Sequence, residues 1–295
     1  ARISAGAELL VYRGERDGEG QLDSSIEGLA DQGMAYPLAY GYALVGTVSA
    51  VGTGAPLNLV GRTAFAFAPH AAAAVIDAQS LQLVPRDVSP RDAAYLASAE
   101  TAVSIVHDAH PRASETVGVL GVGIIGLLVV AQLAHMGLDV VAIDPDEGRR
   151  RIALAMGAFA AYARAEDVQQ PSALFDVSVE CSGCPLALQS AIDLTRDYGK
   201  VVIASWYGKK QTALQLGTRF HRSHLRLVSS QVSSIPGPTS DTWSKQRRFG
   251  AAWSLIRHVG PAEAFGTVVY PVERAVEAFA ALDKRLHLAC QLVYY

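Results

Sequence analysis

The sequence predicts an α/β protein in which a doubly wound parallel sheet is joined to a β-rich segment. Three observations carry that prediction. From Thr116 onward, strand candidates that are apolar on both faces alternate with helix candidates, a pattern that needs a parallel sheet covered on both sides. A glycine-rich turn, Gly121-x-Gly123-x-x-Gly126, falls between the first of these strands and its helix. Ahead of them, residues 1 to about 96 hold short strand-like runs punctuated by Gly and Pro, as β-rich segments do.

Each element follows in order. "YALVGTVSAVG" is a strand-like run with Gly41, Gly46, Gly52 and Gly54 at turns or bulges. "RTAFAF" alternates and stops at Pro69, and "SLQLVP" is a short strand closed by Pro85. At Ser89 the period changes: Ser89 is a helix cap, Pro90 the first helical residue, and "SPRDAAYLASAETAVSIVHDA" has helical spacing. The alternating part then reads strand "TVGVLG", helix "IIGLLVVAQLAHMG", strand "DVVAID", helix "DEGRRRIALAMG", strand "FDVSVECSG", helix "PLALQSAIDLTRDYG", and strands "KVVIAS" and "LRLVSSQ". After the turn-rich "SSQVSSIPGPTSD" come helices in "TWSKQRRFGAAWSLIRHVG" and "VERAVEAFAALDKR" and a final strand in "LACQLVYY".

Composition narrows the function classes. With 295 residues, half of them hydrophobic, the chain can build two domains with real cores. A net charge of −3 gives no basic field to draw nucleic acid or an anionic membrane. Three cysteines make no disulfide framework, and reduced thiols fit a cytoplasmic location. The opening "ARISAGAELLVYRG" lacks the charged and apolar regions of a signal peptide; it also lacks an initiator Met, so the natural start is expected upstream. Val117 to Ala134 is apolar enough to mimic a membrane span, but Gly121, Gly123 and Gly126 at fixed spacing within it argue against a membrane helix.

The glycine turn carries chemistry. Gly121 permits a tight turn, Gly123 lets the backbone approach a diphosphate, and Gly126 lets helix and strand pack closely. The helix N-terminus behind them offers free N–H groups and partial positive charge. Asp144, ending the next strand, is placed to bind the adenosine ribose hydroxyls and would repel a 2′-phosphate, so NAD is expected in preference to NADP. Arg149, Arg150 and Arg151 are the counter-argument, since guanidinium groups could reach that phosphate. Cys181-x-x-Cys184 has the spacing of a redox pair or half a zinc ribbon, but the second pair of a ribbon is missing.

These motifs, in this order, resemble the medium-chain dehydrogenase/reductase superfamily. "SAGAELLVYRG", "GYALVGTVSAVG", "LASAETAV", "VGVLGVGIIGL", "ECSG" and "YGKVVIASWYG" all fall where that family has them. "YPLAYGYALVG" and "RFHRSHLRLVSSQVS" look like its bacteriochlorophyllide-type alcohol dehydrogenase branch. The resemblance covers essentially the whole chain. It implies a Rossmann domain over 98–233 and a GroES-like β-rich catalytic domain formed by 1–97 and a return at 234–295. It implies hydride transfer between the dinucleotide and a small alcohol or carbonyl substrate, with Thr101, Gly121, Gly123, Ile124, Ile125, Gly126, Asp144, Cys181, Ser182, Ser205 and Trp206 at the cofactor. In relatives the turn that holds Cys181 is small and lies beneath the cofactor. A homodimer paired through "LRLVSSQ" is implied as well.

Zinc is not expected. Where zinc-dependent members carry a thiolate turn this chain has "AGAE", with Ala5 at the thiolate position, and Gly41-Tyr42-Ala43 resembles their G-H-E motif without its imidazole or carboxylate. Only Glu100, near the third-ligand position, remains, and one carboxylate does not make a catalytic zinc site. A hydrogen-bond donor must then answer the charge that develops on the substrate oxygen. Tyr42, His70 and Glu100 are the candidate catalytic residues, with His221 and the Lys209–Lys210 pair behind them. "ADQGMAYP" and "SIPGPTSDTW" are candidate pocket borders. Two other readings stay open: an NADPH-dependent quinone or enoyl reductase, and a dinucleotide-binding protein without turnover.

Overall fold

The computed structural model describes residues 1–15, 35–168, 174–235 and 242–295. By its contacts the chain divides into two units, Ala1–Ala97 with Ile256–Tyr295, and Ser98–Leu255.

In the first unit, β1 (Leu44–Thr47) pairs antiparallel with β2 (Thr63–Ala66), which pairs antiparallel with β3 (Gln82–Leu83). The strand "RTAFAF" is the most buried of the three, with Phe65 fully enclosed. Two late segments, Val268–Pro271 and Cys290–Val293, form a parallel pair. Sequence spacing found the second and missed the first, a four-residue run ending in Pro. Ile3, Leu9, Ala278, Leu282, Cys290 and Leu292 make one core cluster, so chain start and chain end fold together. A short helix, Ala7–Tyr12, stands in "SAGAELLVYRG". Ser89 caps as expected, its Oγ accepting from the Asp92 N–H at 3.0 Å. The helix it starts stops at Ala93, and a second runs from Leu96 to Ala109.

The second unit holds a six-stranded sheet: β4 (Thr116–Leu120), β5 (Asp139–Ile143), β6 (Ala160–Tyr162), β7 (Phe175–Glu180), β8 (Thr195–Ile203) and β9 (Arg226–Ser229). Every pairing is parallel and the order is β6-β5-β4-β7-β8-β9, the doubly wound order of the Rossmann fold. The order turns back between β4 and β7, and the carboxyl ends of those two strands are where such sheets bind ligands. Helices Ile124–His135, Glu147–Ala155 and Pro185–Asp193 connect the strands. The first has six consecutive buried residues, Gly126 to Ala131, and a further one, Leu133, after Gln132, which is why its sequence imitates a membrane span. Among the described residues no helix is long and apolar enough to cross a membrane.

Two elements differ from the sequence reading. The helix read through "LTRDYG" ends at Asp193, and β8 already begins at Thr195. Thr195 is fully buried; its Oγ1 bonds the Ala191 carbonyl at 2.6 Å and the Ser178 hydroxyl at 2.7 Å, so one β-branched residue closes the helix and opens the strand. The strand β6, lying in "FAAYA", carried no alternation by which to recognise it. The helix Lys245–Val259 was expected, but contacts group its residues through Leu255 with the second unit.

Candidate functional site

In the second unit the glycine turn is built as the sequence proposes. Gly121 has φ +87, and a Cβ there would lie 2.3 Å from the Ser182 Cα. A Cβ on Gly126 would lie 2.1 Å from the Gly121 carbonyl oxygen. Both positions are closed by backbone. Gly123 differs: it precedes the helix Ile124–His135, and a Cβ there would meet nothing within 4 Å. The turn therefore has two glycines demanded by packing and one that leaves open space before a helix N-terminus. That space fits a diphosphate. Ile124 is buried and Ile125 half-buried in the first turn of the helix.

Asp144 follows β5 and is buried. Its Oδ2 accepts from the Val122 N–H and its Oδ1 from the Asp146 N–H, each at 2.9 Å. These bonds fix the carboxylate beside the glycine turn, and each oxygen keeps a further lone pair. The three arginines behind it are all engaged: Arg149 Nη1 lies 3.8 Å from Asp144 Oδ2, Arg150 donates to the carbonyls of Asp144 and Pro145, and Arg151 reaches Glu147.

The loop after β7 packs onto the same turn. Its anchor is Glu180, fully buried, which sequence reasoning passed over although "ECSG" contains it. Glu180 Oε1 accepts from the Ser182 N–H at 2.7 Å and hydroxyl at 2.5 Å; Oε2 accepts from the Tyr207 hydroxyl at 2.5 Å. Ser205 Oγ accepts from the Gly183 N–H at 2.8 Å, and Lys210 Nζ donates to the Gly183 carbonyl at 3.0 Å. Cys181 N–H bonds the Leu120 carbonyl, which continues the β4–β7 ladder by one step at 2.8 Å. Burial, and then the Glu180 charge, push the Cys181 thiol up, away from the thiolate that redox chemistry needs. Burial and the bond to Glu180 likewise raise the Tyr207 hydroxyl. Cys181, Cys184 and Cys290 are all free thiols. Trp206, half exposed, follows Ser205 on this side, and Thr101 lies partly exposed on the helix Leu96–Ala109.

Glu100 takes a different place from the one expected. It is buried with Arg248, whose Nη2 and Nε lie 2.8 and 3.0 Å from its Oε1. Arg248 also donates to the carbonyls of Val232 and Ser234. Burial raises the Glu100 carboxyl while Arg248 opposes that rise. In this structure Glu100 ties a helix to a loop through Oε1.

The first unit gathers a second polar cluster, from Ser4, Glu8, Tyr42 and His70. Glu8 is buried; Oε1 accepts from the Ser4 N–H at 2.8 Å and Oε2 lies 2.7 Å from His70 Nε2. A carboxylate only accepts, so His70 carries its proton on Nε2. Nδ1 is buried without a hydrogen-bond partner among the described residues. Gly41, at φ +114, lies flat on the ring, and a Cβ there would come 2.7 Å from His70 Cδ2. The His70 side chain is 14% exposed, with Nδ1 on its buried side. Tyr42 is half-buried and its hydroxyl donates to Ser4 Oγ at 2.5 Å. Ser4 and Glu8 stand inside "SAGAE", the segment that resembles the zinc-binding turn, and sequence reasoning gave neither a role. Among the described residues no group of three His, Cys, Asp or Glu side chains could hold a metal ion. His221 ends a helical turn, exposed. Residues 30–34 and 236–241 of the two expected pocket borders lie outside the described residues.

Comparison with known proteins agrees with this arrangement. Residues 125–250 match the family model described as zinc-binding dehydrogenase. The chain is 27% identical over 252 residues to D-guloside 3-dehydrogenase of Escherichia coli K12, covering 81% of this chain and 72% of that protein. It is 27% identical over 169 residues to (R,R)-butanediol dehydrogenase of Bacillus subtilis, covering 55% and 47%. Among solved structures, 2R,3R-butanediol dehydrogenase from Bacillus subtilis superposes with a TM-score of 0.77 at 21% identity, over 99% of this chain and 89% of that one. A short chain alcohol dehydrogenase of E. coli CFT073, complexed with NADH, gives 0.77 at 17% identity over 100% and 89%.

Proposed function

We propose that the chain, which is similar to zinc-binding dehydrogenases over 125–250 and to curated alcohol dehydrogenases, is a medium-chain NAD(H)-preferring oxidoreductase of small alcohols and their carbonyl partners that works without zinc. The observation that carries this reading is the open position at Gly123, between two glycines closed by backbone and beside a buried Asp144. Such a turn has room for a diphosphate and a carboxylate for ribose hydroxyls, which would repel a 2′-phosphate. The relatives named for the oxidation of a guloside and a butanediol support an alcohol as substrate.

When bound, the nicotinamide supplies hydride transfer at the carbinol carbon. This chain's own residues do the rest. The turn at Gly121–Gly126 and Asp144 hold the dinucleotide; the loop pinned by Glu180, with Cys181, Ser182 and Ser205, walls it. Tyr42 handles the proton of the substrate oxygen, a general acid–base step, and Ser4 Oγ, which accepts from the Tyr42 hydroxyl at 2.5 Å, orients that hydroxyl. His70, with Nε2 on Glu8 and Nδ1 enclosed, positions this cluster. The zinc-free reading rests on residue type: Ala5 has no donor atom and Tyr42 stands where the family's imidazole would. We also assign a homodimer, because β9 ends the sheet order and only its β8 edge is paired among the described residues.

The test is steady-state oxidation of a panel of secondary alcohols and polyols with NAD⁺ and NADP⁺, before and after dialysis against EDTA. The expected outcome is a kcat/KM at least roughly tenfold higher with NAD⁺, unchanged by the chelator, and lowered selectivity in Asp144→Ser. Activity restored only by zinc, or a preference for NADP⁺, defeats the corresponding half of the reading. Light scattering reads the oligomer.

A further inference from the structure

At the edge of the six-stranded sheet opposite the glycine turn, where β7, β8 and β9 begin, lies a cavity of about 260 Å³. Its lining is rich in cations. Arg196 is taken up by Asp176, and Asp197 is 3.5 Å from Arg219. That leaves Arg112, Lys200 and Arg226 in the wall with one remaining carboxylate, Glu115, which itself accepts from the Arg112 backbone N–H. Lys200 and Arg226 are register partners on neighbouring strands, and like charges so placed repel. Among the described residues neither the Arg112 nor the Arg226 guanidinium is hydrogen-bonded or ion-paired to a side chain. Lys200 donates to the carbonyls of Asp108 and Ala109 at 3.1 and 2.7 Å, at the end of the helix Leu96–Ala109. Burial lowers the Lys200 ammonium first, and Arg226 and then Arg112 lower it further, against Glu115 and Asp108. The fold thus holds these three cations together around an open space, with Glu115 as the wall carboxylate not taken up by another side chain among the described residues.

We propose that this cavity binds a phosphate dianion, free or as the head of a small monoester. Guanidinium forks match phosphate oxygens two at a time and an ammonium adds a point charge. A volume below the roughly 300 Å³ at which drug-sized pockets begin suits a group of that size. The proposal is independent of the dinucleotide reading, since no lining residue belongs to the glycine turn or to the loop after β7.

The experiment is isothermal titration of the full chain with inorganic phosphate, glycerol 3-phosphate and glycerol. Saturable heat is expected from the first two and none from glycerol; the tighter of the two tells whether free phosphate or the ester is the better occupant. Arg112→Gln/Arg226→Gln should weaken both by roughly tenfold or more while its melting temperature without ligand stays level or rises, because like-charge repulsion is relieved. Gly123→Asp, which puts a carboxylate into the diphosphate approach, should leave phosphate binding intact. Absence of saturable heat, undiminished binding in the double variant, loss of binding in Gly123→Asp, or a lower melting temperature in the double variant would each overturn the assignment.

Discussion

The glycine turn of the second unit and the Ser4–Glu8–Tyr42–His70 cluster of the first do similar work with different materials. The turn is made of backbone: two glycines whose added Cβ would strike main-chain atoms, N–H groups held on Asp144, and a helix start behind an open Gly123. The cluster is made of side chains, brought together across 62 residues between Glu8 and His70. A backbone site is specified by a few neighbours in sequence and tolerates little change. A side-chain site depends on distant segments meeting, and each member can be altered with the backbone left in place. Substitutions in the turn should therefore damage folding or binding, while substitutions in the cluster should damage rate.

The largest effect is expected at Gly121. Gly121→Val combines a left-handed φ with a Cβ 2.3 Å from the Ser182 Cα, so it should cost about 2–5 kcal/mol in strain and overpacking, read as a fall in melting temperature. Gly123→Ala is the contrast inside the same turn. Its φ of −70 suits any residue and its Cβ meets nothing, so stability should change by less than about 1 kcal/mol. NADH affinity, followed by fluorescence titration, should nonetheless fall at least tenfold or so, because the methyl group occupies the diphosphate approach. Equal damage from both would break the distinction between packing glycine and binding glycine.

A smaller loss is expected at Glu8. Glu8→Gln keeps the shape but ends the charged acceptance from His70 Nε2 and turns an amide toward groups that donate. An unsatisfied buried group of this kind costs about 1–3 kcal/mol, read in urea unfolding. NADH affinity should not change. If it did, the cluster could not be treated apart from the turn.

The same contrast explains what the sequence disclosed. The turn, Asp144 and most of the alternating elements were legible because the constraint is local: a φ that only glycine adopts easily, a helix start, an acid at the next strand end. That the sheet is parallel and covered on both faces followed from alternation; β6, which carries none, did not. The helix end at Asp193 was not legible, since Thr195 closes it through bonds to Ala191 and to Ser178 on another strand. Glu100 read as a site residue because its partner, Arg248, lies 148 positions away. Glu8 went unread for the same reason in reverse: nothing near it announces His70. Glu180 sat inside a recognised motif, but its value lies in Tyr207, reached only after β8 returns. The cation-lined cavity is the extreme case, drawn from a helix end, the loop after it and the starts of three strands.

The smallest structural change should give the cleanest kinetic one. Tyr42→Phe removes a single hydroxyl from a half-buried ring, so stability should move by no more than about 1 kcal/mol. If that hydroxyl handles the substrate proton, kcat should drop about a hundredfold, the lower end for a positioned acid–base group, with KM for NADH unchanged. Ser4→Ala leaves the Tyr42 hydroxyl in place and removes only the acceptor that orients it; the loss should be nearer tenfold, as suits a group acting through another. The order of the two decides the assignment. A Ser4 variant as slow as the Tyr42 variant would make the serine, rather than the tyrosine, the group on which the proton depends. A Tyr42 variant at full rate would leave the cluster a structural feature of the first unit.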